Sequence, residues 1–192
     1  MALKEELEDM VDENQDMNIL LVGHHPIYSL GNYGGYFSVG QQLLPLPVIG
    51  SFRTAFHANA GKAKDLANDR LHAYSEHIKN LLFFRSNIIY AAGHERNQQI
   101  VQYESNYLIN SGAPTSAKYA AKDENTLYSD KAAGIMEIIY LDDGQVDIQI
   151  YQYTDNGGFE GTKNHILFQS SCKGKNSQNE KVPLNTSYIP CK

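Results

Sequence analysis

The chain has 192 residues, a formal net charge of −6, a pI near 5.6 and a mean hydropathy of −0.44. That length suffices for one domain with a buried core. The acidic balance argues against nucleic acid as a partner, because contacts with phosphate backbones need clustered Lys and Arg. No apolar run approaches the roughly 20 residues that cross a bilayer, so no transmembrane segment is predicted.

A helix and a strand are predicted at the start of the chain. Residues 3–14 place apolar side chains, Leu7 and Val11 among them, on one face of an amphipathic helix. Residues 18–22 are a short apolar run that ends at a glycine, which is typical of a buried strand. The block Gly23-His24-His25-Pro26 follows directly. Its first histidine therefore lies just beyond a strand end.

The middle of the chain is predicted to form a strand–helix–strand unit with a long insertion. Residues 30–50 are rich in Gly and Pro, and their apolar core at 43–49 is either buried or an interaction surface. Residues 64–84 repeat apolar side chains at helical spacing. Residues 87–92 form a second apolar run of strand type. Such a unit normally places its two strands parallel in one sheet.

A second block, Gly93-His94-Glu95-Arg96, follows the second strand. Two histidines at strand ends, each on a loop opened by glycine, suit a metal or phosphate site at the edge of an α/β sheet. Neutral imidazole is a good ligand for transition metals such as zinc and iron. The sequence therefore makes His24 and His94 candidate metal ligands, whereas no motif supports a role for His25.

The rest of the chain is predicted to be mostly strands. Strand patterns cover residues 99–103, 107–110, 134–141 and 146–153. The turn signal Asp143-Gly144 joins the last two in a hairpin. We expect one domain at residues 1–155 and a polar tail at 156–192, which is loose beyond Ser170. Cys172 and Cys191 lie in this tail, either as a disulfide or as free thiols.

The two histidine blocks resemble the last two blocks of the calcineurin-like metallophosphoesterases, nearest to their purple-acid-phosphatase branch. The resemblance spans residues 3–153. It implies an α/β (α+β) fold, part of a four-layer α/β/β/α sandwich, in which this chain supplies one mixed sheet with flanking helices. The family's early blocks, Asp-x-His, Gly-Asp and Gly-Asn-His, do not occur here. The resemblance therefore covers the C-terminal half only and implies a missing N-terminal half.

The same resemblance assigns roles to four residues. His24 and His94 match metal ligands of the family. Arg96 stands where the family has a further ligand histidine, and a guanidinium cannot ligate a cation. Arg96 either clamps a phosphate or is solvated. Tyr33 falls where the branch often has a histidine near the leaving group, so Arg96 and Tyr33 are the candidate substrate-binding residues, and no catalytic residue is assigned.

Two functions follow as expectations. The first is a fragment of a metal-dependent phosphoester hydrolase. The resemblance implies that the parent enzyme hydrolyses a phosphoester with the help of divalent or trivalent metal ions, which are iron, zinc or manganese. Two histidines are too few for a tight site, so the chain alone is expected to hold metal weakly or not at all and to be inactive. For the parent protein we expect a location in the bacterial periplasm or cell envelope. The alternative function is a non-catalytic interaction module on a degenerate scaffold of this family in the bacterial cell envelope. It would retain the scaffold and use the apolar insertion as its contact surface.

Overall fold

In the computed structural model of the chain, residues 2–38, 69–112, 116–154 and 156–168 are described. The helices are α1 (Ala2–Asp12) and α2 (Asp69–Phe83), with a short 3₁₀ helix at Asn32–Gly34. The strands are β1 (Ile19–Gly23), β2 (Ile88–Ala92), β3 (Gln98–Tyr103), β4 (Asn106–Ser111), β5 (Thr126–Asp130), β6 (Gly134–Tyr140), β7 (Val146–Tyr153) and β8 (Phe159–Phe168).

The larger sheet has five strands in the order β1-β2-β4-β3-β5. Strands β1, β2 and β4 are parallel, while β3 pairs antiparallel with both β4 and β5. This is the mixed sheet that the sequence predicts, and its flanking helices are also confirmed. Strand β5 was not predicted.

The smaller sheet is an antiparallel meander of β6, β7 and β8. Its first hairpin is the predicted one. The third strand is a difference from expectation, because residues 159–168 were assigned to the polar tail and instead pair along the whole of β7. The apolar end of β8, including the buried Leu167, explains why this segment joins the sheet.

Two apolar cores separate three layers. The first lies between the helices and the larger sheet, where Val11 of α1 and Leu82 of α2 pack with Ile88 and Tyr90. The second lies between the two sheets, where Ile89 and its neighbours meet side chains of the smaller sheet. Side chains of β2 alternate between these cores, as expected for a strand buried on both faces. The members of the second core are Ile89, Ile100, Ile109, Tyr128, Val146, Ile148, Ile150 and Leu167.

Several expectations concern residues outside the described ranges. The apolar core of the insertion, residues 43–49, is among them, as are the two cysteines. Within the described ranges, neither helix has the length and apolar character needed to cross a membrane.

One buried amide joins helix α2 to the larger sheet. Asn106 is fully buried at the start of β4. Its side-chain oxygen accepts a hydrogen bond from Ile88 N at 2.8 Å. Its Nδ2 donates to the carbonyls of Leu82 and Arg85, both at 2.7 Å. The amide therefore forms hydrogen bonds with backbone groups at the end of the helix and with one at the start of β2.

Replacing this amide should destabilise the domain. We expect Asn106→Ala to lower the free energy of unfolding by about 2–4 kcal/mol, because it leaves buried backbone groups without partners. Asn80→Ala, at an exposed position of α2, is the matched control and should change it by less than about 0.5 kcal/mol. Urea unfolding followed by circular dichroism measures both. Equal midpoints for the two variants would contradict this role of Asn106.

Candidate metal centre

The site begins where two parallel strands end. Strands β1 and β2 pair in parallel, with Gly23 opposite Ala92 at their C-terminal ends. The loops that carry His24 and His94 therefore leave the sheet side by side, as the sequence predicts. Gly93 N donates to the carbonyl oxygen of His24 at 3.3 Å, which ties one loop to the other.

The backbone at His94 is held in an uncommon conformation. Its φ is +65°, in the left-handed region that residues with a side chain rarely adopt. Glu95 N donates across it to Gly93 O at 2.7 Å, closing a three-residue turn. Such strain persists only where the surroundings enforce it, and it occurs preferentially at functional sites.

The imidazoles of His24 and His94 lie at a distance that suits one shared cation. His94 Nδ1 is 3.2 Å from His24 Nε2. Zinc–nitrogen bonds of about 2.0–2.1 Å at a tetrahedral angle place two ligand nitrogens roughly 3.3 Å apart. Without a cation, one ring donates a hydrogen bond to the other. The geometry thus fits metal ligation by the two predicted residues.

The structure brings a third histidine to this point. Ligand nitrogens of His24, His25 and His94 all lie within 4.8 Å of one another. The His25 ring centroid is 4.7 Å from that of His24 and 4.3 Å from that of His94. Sequence motifs gave His25 no role, and the adjacency of the two histidines was the one available signal. Among the described residues this group contains histidines alone, without a carboxylate.

A buried carboxylate holds the two loops together by hydrogen bonds. Glu95 is 1% exposed, and its Oε1 accepts hydrogen bonds from Ser29 Oγ at 2.6 Å and Tyr33 N at 2.8 Å. Burial raises the pKa of the Glu95 carboxyl, although hydrogen bonds from Ser29 and from the backbone of Tyr33 and Gly34 act to lower it. Glu95 therefore links the loop after β1 to the loop after β2. Motif analysis did not single it out.

Tyr33 lies in the site, as the sequence suggests. Its ring centroid is 4.3 Å from that of His94. Lys118 Nζ lies 5.3 Å from the centroid of the Tyr33 ring, within cation–π range. No sequence pattern pointed to Lys118, because its place beside Tyr33 depends on tertiary structure alone. The site thus carries a cationic group beside Tyr33.

Arg96 is exposed and turns towards the segment after β4. Its Nη1 donates to Ser116 Oγ at 3.0 Å. The Arg96 carbonyl accepts a hydrogen bond from Lys118 N, so the two cationic residues lie on neighbouring segments. Whether Arg96 binds phosphate stays a prediction.

No protein-family model matches the chain, and no curated protein sequence matches it significantly. Among solved structures, one similar fold is that of GAP50, described as the anchor in the inner membrane complex of Plasmodium, with a TM-score of 0.54 and 16% identity. The match covers 88% of this chain and 43% of the GAP50 chain. A weaker match is a double mutant of Vps29 from Entamoeba histolytica, with a TM-score of 0.31, 16% identity, and coverage of 49% of this chain and 46% of that one. At such identities the likeness to GAP50 shows the fold alone.

The support beneath the site can be tested at Gly31. A Cβ at this position would lie 2.6 Å from Glu95 Cδ and from Asn97 Nδ2. Both side chains are buried, so they cannot move aside. We expect Gly31→Ala to destabilise the domain by about 1–3 kcal/mol, seen as a lower melting temperature in scanning calorimetry. The control is Gly158→Ala, where an added Cβ meets nothing within 4 Å. Identical melting of the two variants would refute the close packing over Glu95.

Proposed function

We propose that this chain is the C-terminal half of a metal-dependent phosphoester hydrolase domain of the calcineurin-like type. The observation that carries the proposal is the 3.2 Å separation of His24 Nε2 and His94 Nδ1 at the ends of two adjacent parallel strands. The α/β/β layering of the described residues is compatible with part of a four-layer sandwich. The likeness to GAP50, of which the chain spans 43%, is consistent with a partial domain.

In this proposal His24 and His94 would hold a metal ion through their ring nitrogens. When bound, the ion would act as a Lewis acid and lower the pKa of a water. Tyr33, packed on His94, orients a substrate oxygen. Arg96 offers a planar fork of donors that matches two oxygens of a phosphoryl group.

The groups that this chain provides are not a full catalytic set. Hydrolysis by two metals uses further ligands, and a carboxylate is absent from the histidine group among the described residues. Glu95 does not fill that role, because its carboxylate is buried under the loops and engaged by Ser29 and Tyr33. Further ligands would come from residues upstream of this chain.

A second candidate is a non-catalytic interaction module on the same scaffold. The observation that favours it is Arg96, which cannot ligate a metal and which contacts Ser116. GAP50, a similar fold, is described as the anchor in the inner membrane complex of Plasmodium. In this reading His24 and His94 are structural or are remnants of a metal site, and the apolar segment at residues 43–49, which lies outside the described residues, would make the functional contact.

Hydrolysis of p-nitrophenyl phosphate separates the two candidates. We expect residues 1–192 alone, with added zinc, manganese or iron, to show no turnover above buffer, because hydrolysis by two metals needs carboxylate ligands that the histidine group lacks among the described residues. A chain extended upstream to include Asp-x-His and Gly-Asn-His should hydrolyse the ester, and His94→Ala should abolish this activity. His72→Ala, at an exposed site on α2, is the control.

Two outcomes would contradict the hydrolase proposal or its division between halves. A folded extended chain that is inactive with every metal would favour the interaction module. Turnover by residues 1–192 that disappears in His94→Ala would show that this chain alone holds a complete catalytic site.

Arg96→His tests the departure from the family pattern. In the extended chain, this change restores an imidazole at the missing ligand position. We expect higher metal content by elemental analysis and faster ester hydrolysis, because imidazole ligates transition metals and guanidinium does not. Arg70→His, at an exposed position on α2, controls for the loss of a positive charge. If Arg96→His lowers activity, Arg96 itself binds the substrate.

A further inference from the structure

We infer that His24, His25 and His94 form a complete three-imidazole site for one divalent transition-metal ion, of which zinc is the reference case. This inference does not require the hydrolase function, since a metal site can be structural or can serve a binding module. It differs from the ligand set that the family resemblance implies. That set has no place for His25 and includes the position of Arg96.

The first argument is the placement of the donors. Ligand nitrogens of the three histidines lie within 4.8 Å of one another, and the closest pair is already 3.2 Å apart. Three nitrogens of a tetrahedral zinc site lie roughly 3.3 Å from one another. The separations of the three nitrogens therefore exceed those of a bound site by at most about 1.5 Å. Three protein ligands with an open fourth position are the usual number at a reactive zinc site.

The second argument is that the backbone of each ligand is fixed by an independent contact. The carbonyl of His24 accepts from Gly93 N at 3.3 Å, and that of His25 accepts from the Tyr90 hydroxyl at 2.9 Å. The turn closed by Glu95 N fixes His94. These contacts are made by backbone groups and a tyrosine hydroxyl rather than by the ligand nitrogens, so they position the three residues in advance and reduce the conformational entropy lost on ion binding.

Tyr90 has a specific part in this arrangement. Its ring is in the core between helices and sheet, and its hydroxyl also lies 3.0 Å from the hydroxyl of Tyr74 on α2. A Cβ on Gly23 would collide with the Tyr90 hydroxyl at 2.0 Å. The glycine before the histidine pair is thus needed for the tyrosine to reach the His25 carbonyl, and Tyr90 is a positioning residue of the site.

The donor type sets the metal class. Three neutral imidazoles favour zinc, cobalt, nickel or copper over magnesium and calcium, which prefer oxygen ligands. His24 is exposed, so an ion bound to it is reachable from solvent. Arg96 does not reduce the ligand count, because none of the three donors depends on its position. The expectation of weak binding that two histidines justify therefore does not hold for three.

The test uses the untagged 192-residue chain after treatment with a chelator. Zinc is titrated by calorimetry, and cobalt(II) by its visible absorption, which is intense only in tetrahedral coordination. We expect one ion per chain. Loss of an outer-shell partner of a metal site typically lowers affinity by about 10–100-fold. Loss of a direct ligand in His25→Ala or His25→Gln should therefore lower zinc affinity at least about tenfold and weaken the cobalt bands. An excess of magnesium should not displace zinc.

Two controls keep the result specific. His72→Ala removes an exposed histidine from α2 and should leave the affinity and the cobalt spectrum unchanged. Tyr90→Phe retains the ring and all three histidines but removes the hydroxyl bond to His25, so it should weaken binding less than His25→Ala does. Circular dichroism melting of each metal-free variant shows whether it is folded.

Each other outcome overturns the inference. Zinc affinity in folded His25→Ala equal to that of the unchanged chain would remove His25 from the ligand set. Equal losses in His25→Ala and His72→Ala would indicate scattered binding to surface histidines. Absence of zinc binding by the unchanged chain would reject the site altogether. None of these results determines the outcome of the phosphoester assay. Failure of this inference can therefore be distinguished from failure of the hydrolase proposal.

Discussion

The parallel pairing of β1 with β2 is the constraint on which the site depends. In a parallel pair both strands finish at the same edge of the sheet, so the loops after Gly23 and Ala92 start as neighbours. An antiparallel pair would have placed His24 and His94 at opposite ends. Parallel strands also need a long connection that crosses over the sheet. Helix α2 belongs to that connection and is anchored near the site, since Ser75 Oγ donates to the carbonyl of Ile27.

A layer of buried polar side chains lies beneath the histidines. Besides Glu95 it contains Asn97, Gln99 and Asn110, all less than 5% exposed. Asn110 donates to Asn97 Oδ1 at 2.8 Å, and the Gln99 oxygen accepts from the backbone of Leu30 at 2.9 Å. An apolar layer of the same volume would be simpler to bury, since each polar group must find a partner. Hydrogen bonds are directional, so they fix the two loops relative to each other more specifically than apolar packing would.

The regular elements were predictable because their apolar periodicity is local. Strands β1 and β2 are short apolar runs, and the apolar residues of α2 recur at helical spacing. The predicted bounds of all three elements are therefore close to the observed ones. Strand β5 was not found, because Thr126–Asp130 is brief and mostly polar, and its pairing with β3 depends on the tertiary fold. Strand β8 contains Gly, Lys and Asn, and the pairing with β7 outweighs their low strand propensity.

The same distinction applies to the candidate site. His24 and His94 were predicted because each follows a strand end and a glycine, a signal carried by a few adjacent residues. His25 was missed because no motif gives a ligand role to the residue that follows His24. Past the end of a strand the alternation of side chains no longer holds, and two adjacent residues can turn towards the same point. Lys118 reaches the site from a distant part of the chain, so only the fold shows its place beside Tyr33.

The charge balance of the three-imidazole group bears on what would complete it. Three neutral ligands leave the full double charge of a divalent ion uncompensated, whereas sites with a carboxylate or thiolate neutralise part of it. Lys118 adds a further positive charge near Tyr33. Glu95 is not a further ligand, because its Oε1 already accepts hydrogen bonds from Ser29 Oγ and Tyr33 N. A fourth ligand is therefore favoured when it is an anion. A phosphoester oxygen meets that condition in an enzyme, and a carboxylate of a partner protein meets it in a binding module, so the same electrostatics serves either function.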